Sequence, residues 1–188
     1  MKMRHLLVCG FCLLNWAQPV FAQDLADTLI ARLGQVHARQ KPFHETRTLA
    51  VLKAPIESSG VLIYRAPGYL QKMTEQPHAE SLIINGDSVT ISRNHAAPQS
   101  VDIARVPALR LLADTLRAPL DGDIALLRRY YHITAEEKGD DWSIYLTPVS
   151  DKVAELAKSV TLTGQNNAIL RIVLVQANGD TQTMTIDP

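Results

Sequence analysis

The chain has 188 residues with 19 basic and 19 acidic side chains and only two cysteines. Balanced charge argues against a nucleic-acid partner, which needs a basic surface, and no lysine- or arginine-rich run suggests electrostatic attraction to a membrane. The length fits one domain with a buried core.

The first 22 residues read as a secretory signal peptide. Lys2 and Arg4 give a positive start, the apolar stretch Leu6 to Leu14 is too short to span a bilayer, and Val20-Phe21-Ala22 fits the small-x-small cleavage rule. Cleavage after Ala22 starts the mature chain at Gln23, so residues 23–188 form a single domain. Cys9 and Cys12 both lie in the apolar stretch, and the exported domain has no cysteine left for a disulfide. Without Lys2 and Arg4 the net charge is −2.

Leu25, Leu29, Leu33 and Val36 recur at helical spacing, with Asp24 and Asp27 at the favourable end of the helix dipole, so residues 24–39 are predicted as an amphipathic helix. A strand follows around Phe43–Leu52, ending at Pro55. Another runs from Gly60 to Arg65 and stops at Pro67-Gly68. Residues 80–92 form a hairpin: Asn85-Gly86 supplies the φ > 0 positions of a tight turn, with Leu82 and Ile84 sharing one face before it and Val89 and Ile91 after it. Residues 101–129 change character. Leu109, Leu112 and Leu116 sit at helical spacing, Pro119 and Gly122 break the pattern, and Ile124–Arg129 resumes it, giving two short helices. Strands return at Tyr130–Thr134 and Trp142–Thr147. Ser150–Lys158 reads as a short helix with Ser150 as N-cap. Val160–Leu162, Ala168–Gln176 and Thr181–Ile186 are the last strands, the final two joined by Asn178-Gly179-Asp180.

Successive strands joined by short turns make an antiparallel sheet, and helices at the start and middle make the class α+β: a curved sheet with helices to cover its concave side. Catalytic chemistry is not signalled. Ser58-Ser59-Gly60 precedes a strand rather than following one, so it is no nucleophile elbow. His37, His44, His78, His95 and His132 are scattered without metal-ligand spacing, and Asp121-Gly122-Asp123 is followed by Ile124, Leu126 and Leu127 where a calcium loop needs oxygen ligands. The expectation is a protein that is not an enzyme and uses no cofactor or metal. The aliphatic signal is stronger. On spacing alone, Leu109, Leu112 and Leu116 pack a helix on a sheet.

Phe43 and Glu45, then Gly60, Leu62 and Pro67, then Glu80, Ser81, Gly86 and Asp87 follow one another in an order and spacing that resembles the LolA family of periplasmic lipoprotein carriers. The resemblance implies an incomplete, strongly curved antiparallel barrel with lid helices over an apolar cavity. It makes Leu29 and Leu33 of the first helix, and Leu109, Leu112 and Leu116 of the middle one, inner surfaces of the lid. From the sheet it implies lipid-binding roles for Leu62, Tyr64, Leu70, Leu82, Ile84, Val89 and Ile91, with Leu70 near the cavity mouth. The family places an arginine just before the proline, associated with lid closure and release. Ala66 holds that place here, so Arg65 is the candidate, although one step along a strand reverses the face. The resemblance is therefore to a divergent member.

The implied function is a periplasmic carrier that takes a lipid, lipoprotein or other acylated cargo from an inner-membrane exporter to an outer-membrane acceptor, acting as a monomer. The alternative is an envelope-stress sensor or assembly scaffold that uses the same curved sheet to bind protein. Magnitudes bear on the carrier: at ~0.8 kcal/mol per buried methylene, complete burial of several long acyl chains exceeds the ~20 kcal/mol at which non-covalent affinity saturates, so a releasing carrier must bury its cargo in part.

Overall fold

The computed structural model describes residues 21–94 and 96–188. The segment up to residue 20, which holds most of the expected signal peptide with Cys9 and Cys12, and the residue His95 lie outside the described residues.

The chain opens with α1 (Phe21–Leu33). Ala26, Leu29, Ile30 and Leu33 recur at i, i+3, i+4 and i+7, and all four are buried. The helix ends earlier than its periodicity predicts: Gly34 closes it, and residues 38–42 already belong to the first strand. Six strands then run as an uninterrupted meander: β1 (Ala38–Thr48), β2 (Ile56–Arg65), β3 (Tyr69–Gln76), β4 (Glu80–Asn85), β5 (Ser88–Arg93) and β6 (Gln99–Asp102). A 3-10 turn at Ile103–Arg105 leads into α2 (Pro107–Asp121) and α3 (Ile124–Arg128). The second meander contains β7 (Tyr131–Lys138), β8 (Asp141–Pro148), a one-turn helix α4 (Asp151–Ala154), β9 (Ser159–Gln165), β10 (Ala168–Val175) and β11 (Thr181–Ile186).

All eleven described strands join one antiparallel sheet in the order β6-β5-β4-β3-β2-β1-β11-β10-β9-β8-β7. The two meanders meet at the middle, where β1 pairs with β11 and Phe43 lies opposite Ile186. The edges β6 and β7 are not paired with each other. The segment carrying α2 and α3 connects them, so the lid is the link between the two open edges of an unclosed barrel. This is the α+β curved-sheet class expected from the pattern of strands and turns.

Local chemistry explains the element boundaries. Pro107 occupies the first turn of α2, where its missing N–H has no intrahelical partner to lose. Pro119 sits inside α2 rather than ending it. The actual stop is Gly122, whose φ of 73° places it in the left-handed region that caps a helix. Asp123 then caps α3, its carboxylate accepting from the Leu126 N–H at 2.9 Å, so Asp121-Gly122-Asp123 is a helix-to-helix turn. Gly34 packs on the same place: a side-chain carbon there would lie 2.7 Å from the Gly122 Cα, so α1 and α2 meet backbone to backbone. Ser150 precedes α4 as expected, but its side chain makes no capping bond and the helix is shorter than predicted.

Two clusters of buried side chains form. One joins Leu29, Ile30 and Leu33 of α1 to Leu127, Tyr131, Trp142, Ile144, Leu146, Val160 and Leu162. The other joins Tyr64, Leu70, Ile84 and Val89 to Ile103 and Ala113. Leu120 packs against both.

Candidate functional site

Antiparallel order fixes the two ends of the sheet. Connections β2–β3, β4–β5, β7–β8 and β9–β10 gather at one end, here the lower, and β1–β2, β3–β4, β8–β9 and β10–β11 at the other, the upper. The α2 helix is fastened to the lower end. Arg110 Nη1 donates to Asp87 Oδ1 at 2.8 Å, and Arg117 Nη1 donates to the Gly86 carbonyl at 2.9 Å. Asp121 Oδ1 accepts from the Tyr64 hydroxyl at 2.8 Å and from the Gly68 N–H at 2.9 Å. Tyr64 also donates toward the Leu120 carbonyl at 2.8 Å. Burial, reinforced by the Asp121 carboxylate, pushes the Tyr64 phenol well above its ordinary value.

A further contact of α2 is made by Asp114, only 1 % exposed, which accepts from Arg117 Nη2 at 2.9 Å and from the Tyr130 hydroxyl at 3.0 Å. Burial, with the Asp114 hydrogen bond, raises the Tyr130 phenol. Thr115 Oγ1 donates to the Leu111 carbonyl and meets the Tyr131 hydroxyl at 2.9 Å.

Between α2 and the concave sheet lies a cavity of about 540 Å3. Leu109, Leu112 and Leu116 face it from the helix. Leu62, Tyr64, Leu70, Leu82, Ile84 and Val89 face it from β2–β5, and Leu33 reaches it from the end of α1. The other half of the wall was not foreseen: Val160, Leu162, Ile169, Ile172, Leu174, Met184 and Ile186 from β9, β10 and β11. Leu62, Leu82, Leu109, Leu112 and Leu174 are only half-buried and Leu116 is 38 % exposed, although all point inward. A filled core would bury such side chains completely, so the space is hollow. Arg47, Glu80, Glu155, Gln176 and Gln182 line it at the upper end, where they form a polar rim.

Three expected site residues fall elsewhere. Leu29 is in the buried cluster beneath α1 and does not line the cavity, because that face of the helix packs on the β7–β8 side of the sheet. Ile91 packs against the second cluster and also stops short of the lining. Arg65 is exposed at the lower end of β2, with its guanidinium 5.4 Å from the centre of the Tyr69 ring. Alternation puts it on the face opposite Tyr64, and no bulge shifts it inward. Leu70 does line the cavity, but it is the second residue of β3, just past the β2–β3 turn, buried under the fastened end of α2 and away from the rim.

The inner face of β1 is charged. Arg39, Lys41, Phe43, Glu45 and Arg47 alternate along it, and Arg39, Lys41 and Arg47 line the cavity together with Lys72 of β3. Glu45 is fully buried and paired with both Lys72 and Arg47. Lys72 Nζ lies 5.1 Å from the centre of the Phe43 ring. Sequence patterning misses this stripe because both faces of β1 are polar. The available cue was that Phe43, the strand's one large apolar residue, shares parity with Lys41 and Glu45.

Residues 17–187 match the family described as outer membrane lipoprotein carrier protein LolA-like, and the chain belongs to that family. Among solved structures, a LolA superfamily protein from Nitrosomonas europaea is similar at 12% identity and a TM-score of 0.45, covering 87% of this chain and 91% of that one. The Pseudomonas aeruginosa MucA/MucB complex matches at 12% identity and a TM-score of 0.47, over 86% of this chain but 55% of that one. A DUF1329 family protein from Desulfovibrio piger matches at 9% identity and a TM-score of 0.38, over 87% and 90%. No curated protein matches. Among the described residues, no helix is long and apolar enough to cross a membrane.

Proposed function

We propose that the protein is a periplasmic carrier that holds a lipid or acylated cargo in the cavity under α2 and passes it from an inner-membrane exporter to an outer-membrane acceptor, as a monomer and without a covalent step or cofactor. The observation that carries this reading is the hollow: about 540 Å3 walled by aliphatic side chains from α2 and both halves of the sheet. That volume falls within the ~300–1,000 Å3 typical of ligand sites. Aliphatic walls suit flexible chains better than planar ligands. Because the lining leucines remain partly solvated, cargo gains only part of the full burial energy, which is the condition for release. A scaffold that binds protein on its concave sheet would be expected to fill that side with large side chains, so the hollow favours the carrier. Mass spectrometry of protein purified from its host without detergent tests the proposal. Co-purifying lipid or lipoprotein supports it. Repeated extractions without any, together with no binding of a fluorescent fatty-acid probe, would remove it.

A further inference from the structure

Below its polar upper rim the cavity wall is largely apolar except along β1 and β3, the two strands that flank β2, and there it is cationic. Lys41 and Lys72 both lie opposite Leu62, one on each flanking strand. Two strand spacings separate their backbones by ~10 Å, and both side chains line the hollow. Two flexible ammonium groups at that separation can converge on a single small anion. Arg39 and Arg47 line the same wall.

The partners of these cations do not balance them. Glu45 is one carboxylate shared by Lys72 and Arg47. Lys41 donates to an oxygen of Pro188, the last residue, whose terminal carboxylate opposes its charge, and Arg39 Nη2 meets the neutral amide oxygen of Asn167 at 3.4 Å, so Glu45 and Pro188 together face the four cations Arg39, Lys41, Arg47 and Lys72. The other lining carboxylates stand at the upper rim. Glu80 is engaged there by Arg93 at 2.6 Å, and Glu155 is exposed. Placing charge in an apolar cavity is unfavourable unless it meets an opposite charge. A stripe of surplus cations beside an acyl-sized hollow is therefore costly for the empty protein and favourable for a ligand that brings an anion.

We propose that the cavity selects acyl ligands with an anionic head, a carboxylate or a phosphate, and that Lys41 and Lys72 hold that head midway along β1 and β3 while the chain lies against the leucines of α2. This inference rests on the carrier reading and narrows it to a ligand class.

The test uses the purified chain from Gln23 onward at pH 8 with cis-parinaric acid and its methyl ester, which share the chain and differ in charge. Wild type is expected to bind the acid about tenfold or more tightly than the ester, the range of a charge-assisted contact. Lys41→Met is expected to erode that preference while leaving ester binding unchanged. Lys72→Met alone leaves the buried Glu45 with Arg47 as its one cation partner among the described residues, so the second variant is the pair Glu45→Gln with Lys72→Met, checked for folding by thermal melting. Equal binding of acid and ester by wild type, or an undiminished preference in both variants, overturns the headgroup assignment and leaves the carrier reading standing. Binding of neither probe overturns both. Displacement of the acid by oleate assigns a carboxylate head and displacement by dioleoyl phosphatidate a phosphate head; displacement by neither contradicts the proposal.

Discussion

The Tyr64 hydroxyl and the Asp121 carboxylate meet at 2.8 Å across the gap between sheet and lid. Asp121 is the last residue of α2 and Tyr64 the penultimate residue of β2, so this bond, with the Gly68 N–H on the same oxygen, fixes the lower end of the lid. Asp121→Ala removes both bonds and is expected to cost about 1–3 kcal/mol. The lid should also loosen, so release of a fluorescent fatty acid in stopped flow should become faster. A lowered melting temperature with unchanged release would make the contact purely structural.

The same pair predicts a pH dependence. The Tyr64 phenol is raised above its ordinary value of 10.0, so the unfolded chain loses this proton first as pH rises. The stability contributed by neutral Tyr64 is complete below about pH 10 and declines above it. Tyr64→Phe lacks the group. The stability advantage of wild type over this variant should therefore be constant from pH 7 to 9 and shrink above pH 10, as read from denaturant midpoints. A difference that grows above pH 10 would contradict the assignment.

Leu70 and Leu116 separate wall from opening. Leu70 is 8 % exposed within the second buried cluster, so Leu70→Glu places an unpaired charge in the core at a cost of several kcal/mol and should unfold the protein or lower its melting temperature sharply. Leu116 faces the hollow at 38 % exposure. Leu116→Gln should leave melting nearly unchanged and weaken fatty-acid binding. Strong destabilisation by Leu116→Gln would mean that its surroundings are filled rather than hollow.

Glu45 is the buried partner of Lys72 and Arg47. Glu45→Ala leaves Lys72 without its carboxylate and should cost about 3–5 kcal/mol. Adding Lys72→Met should recover most of that loss, because the second substitution removes the stranded charge. Equilibrium unfolding of the single and double variants measures the recovery, and its absence would show that Glu45 acts through shape alone.

Much of this architecture can be read from residues alone. Asn85-Gly86 and Asn178-Gly179 mark their turns, the alternation of Trp142, Ile144 and Leu146 marks β8, and the Leu109, Leu112 and Leu116 spacing marks the lid helix and its inward face. Other parts are hidden for physical reasons. β3 reads Tyr-Leu-Gln-Lys-Met-Thr-Glu-Gln, with Lys72 on the parity of Leu70, and β6 is a four-residue exposed edge, so neither shows clear alternation. Pro119 looked like a break because proline usually ends a helix, yet the left-handed cap needed Gly122. The hollow itself leaves no mark on periodicity, since Leu62 and Leu82 alternate in the same way whether they touch neighbours or empty space. A motif alone nominates Arg65 for the release role, and without a bulge at that point strand parity keeps it on the outer face.

The pairing of β1 with β11 has a consequence for how the protein comes together. Every other strand contact joins neighbours along the chain and closes a short loop, whereas Phe43 finds Ile186 at the opposite end of the sequence. Loop-closure entropy and contact order both make that pairing the slow one. Each meander can therefore pair its own strands, but neither encloses anything: the aliphatic wall from β2–β5 and the one from β9–β11 face each other only after this last seam zips. Ligand cannot template the halves. It can only reward the finished chain, so stabilisation by cargo should appear almost entirely in the unfolding rate.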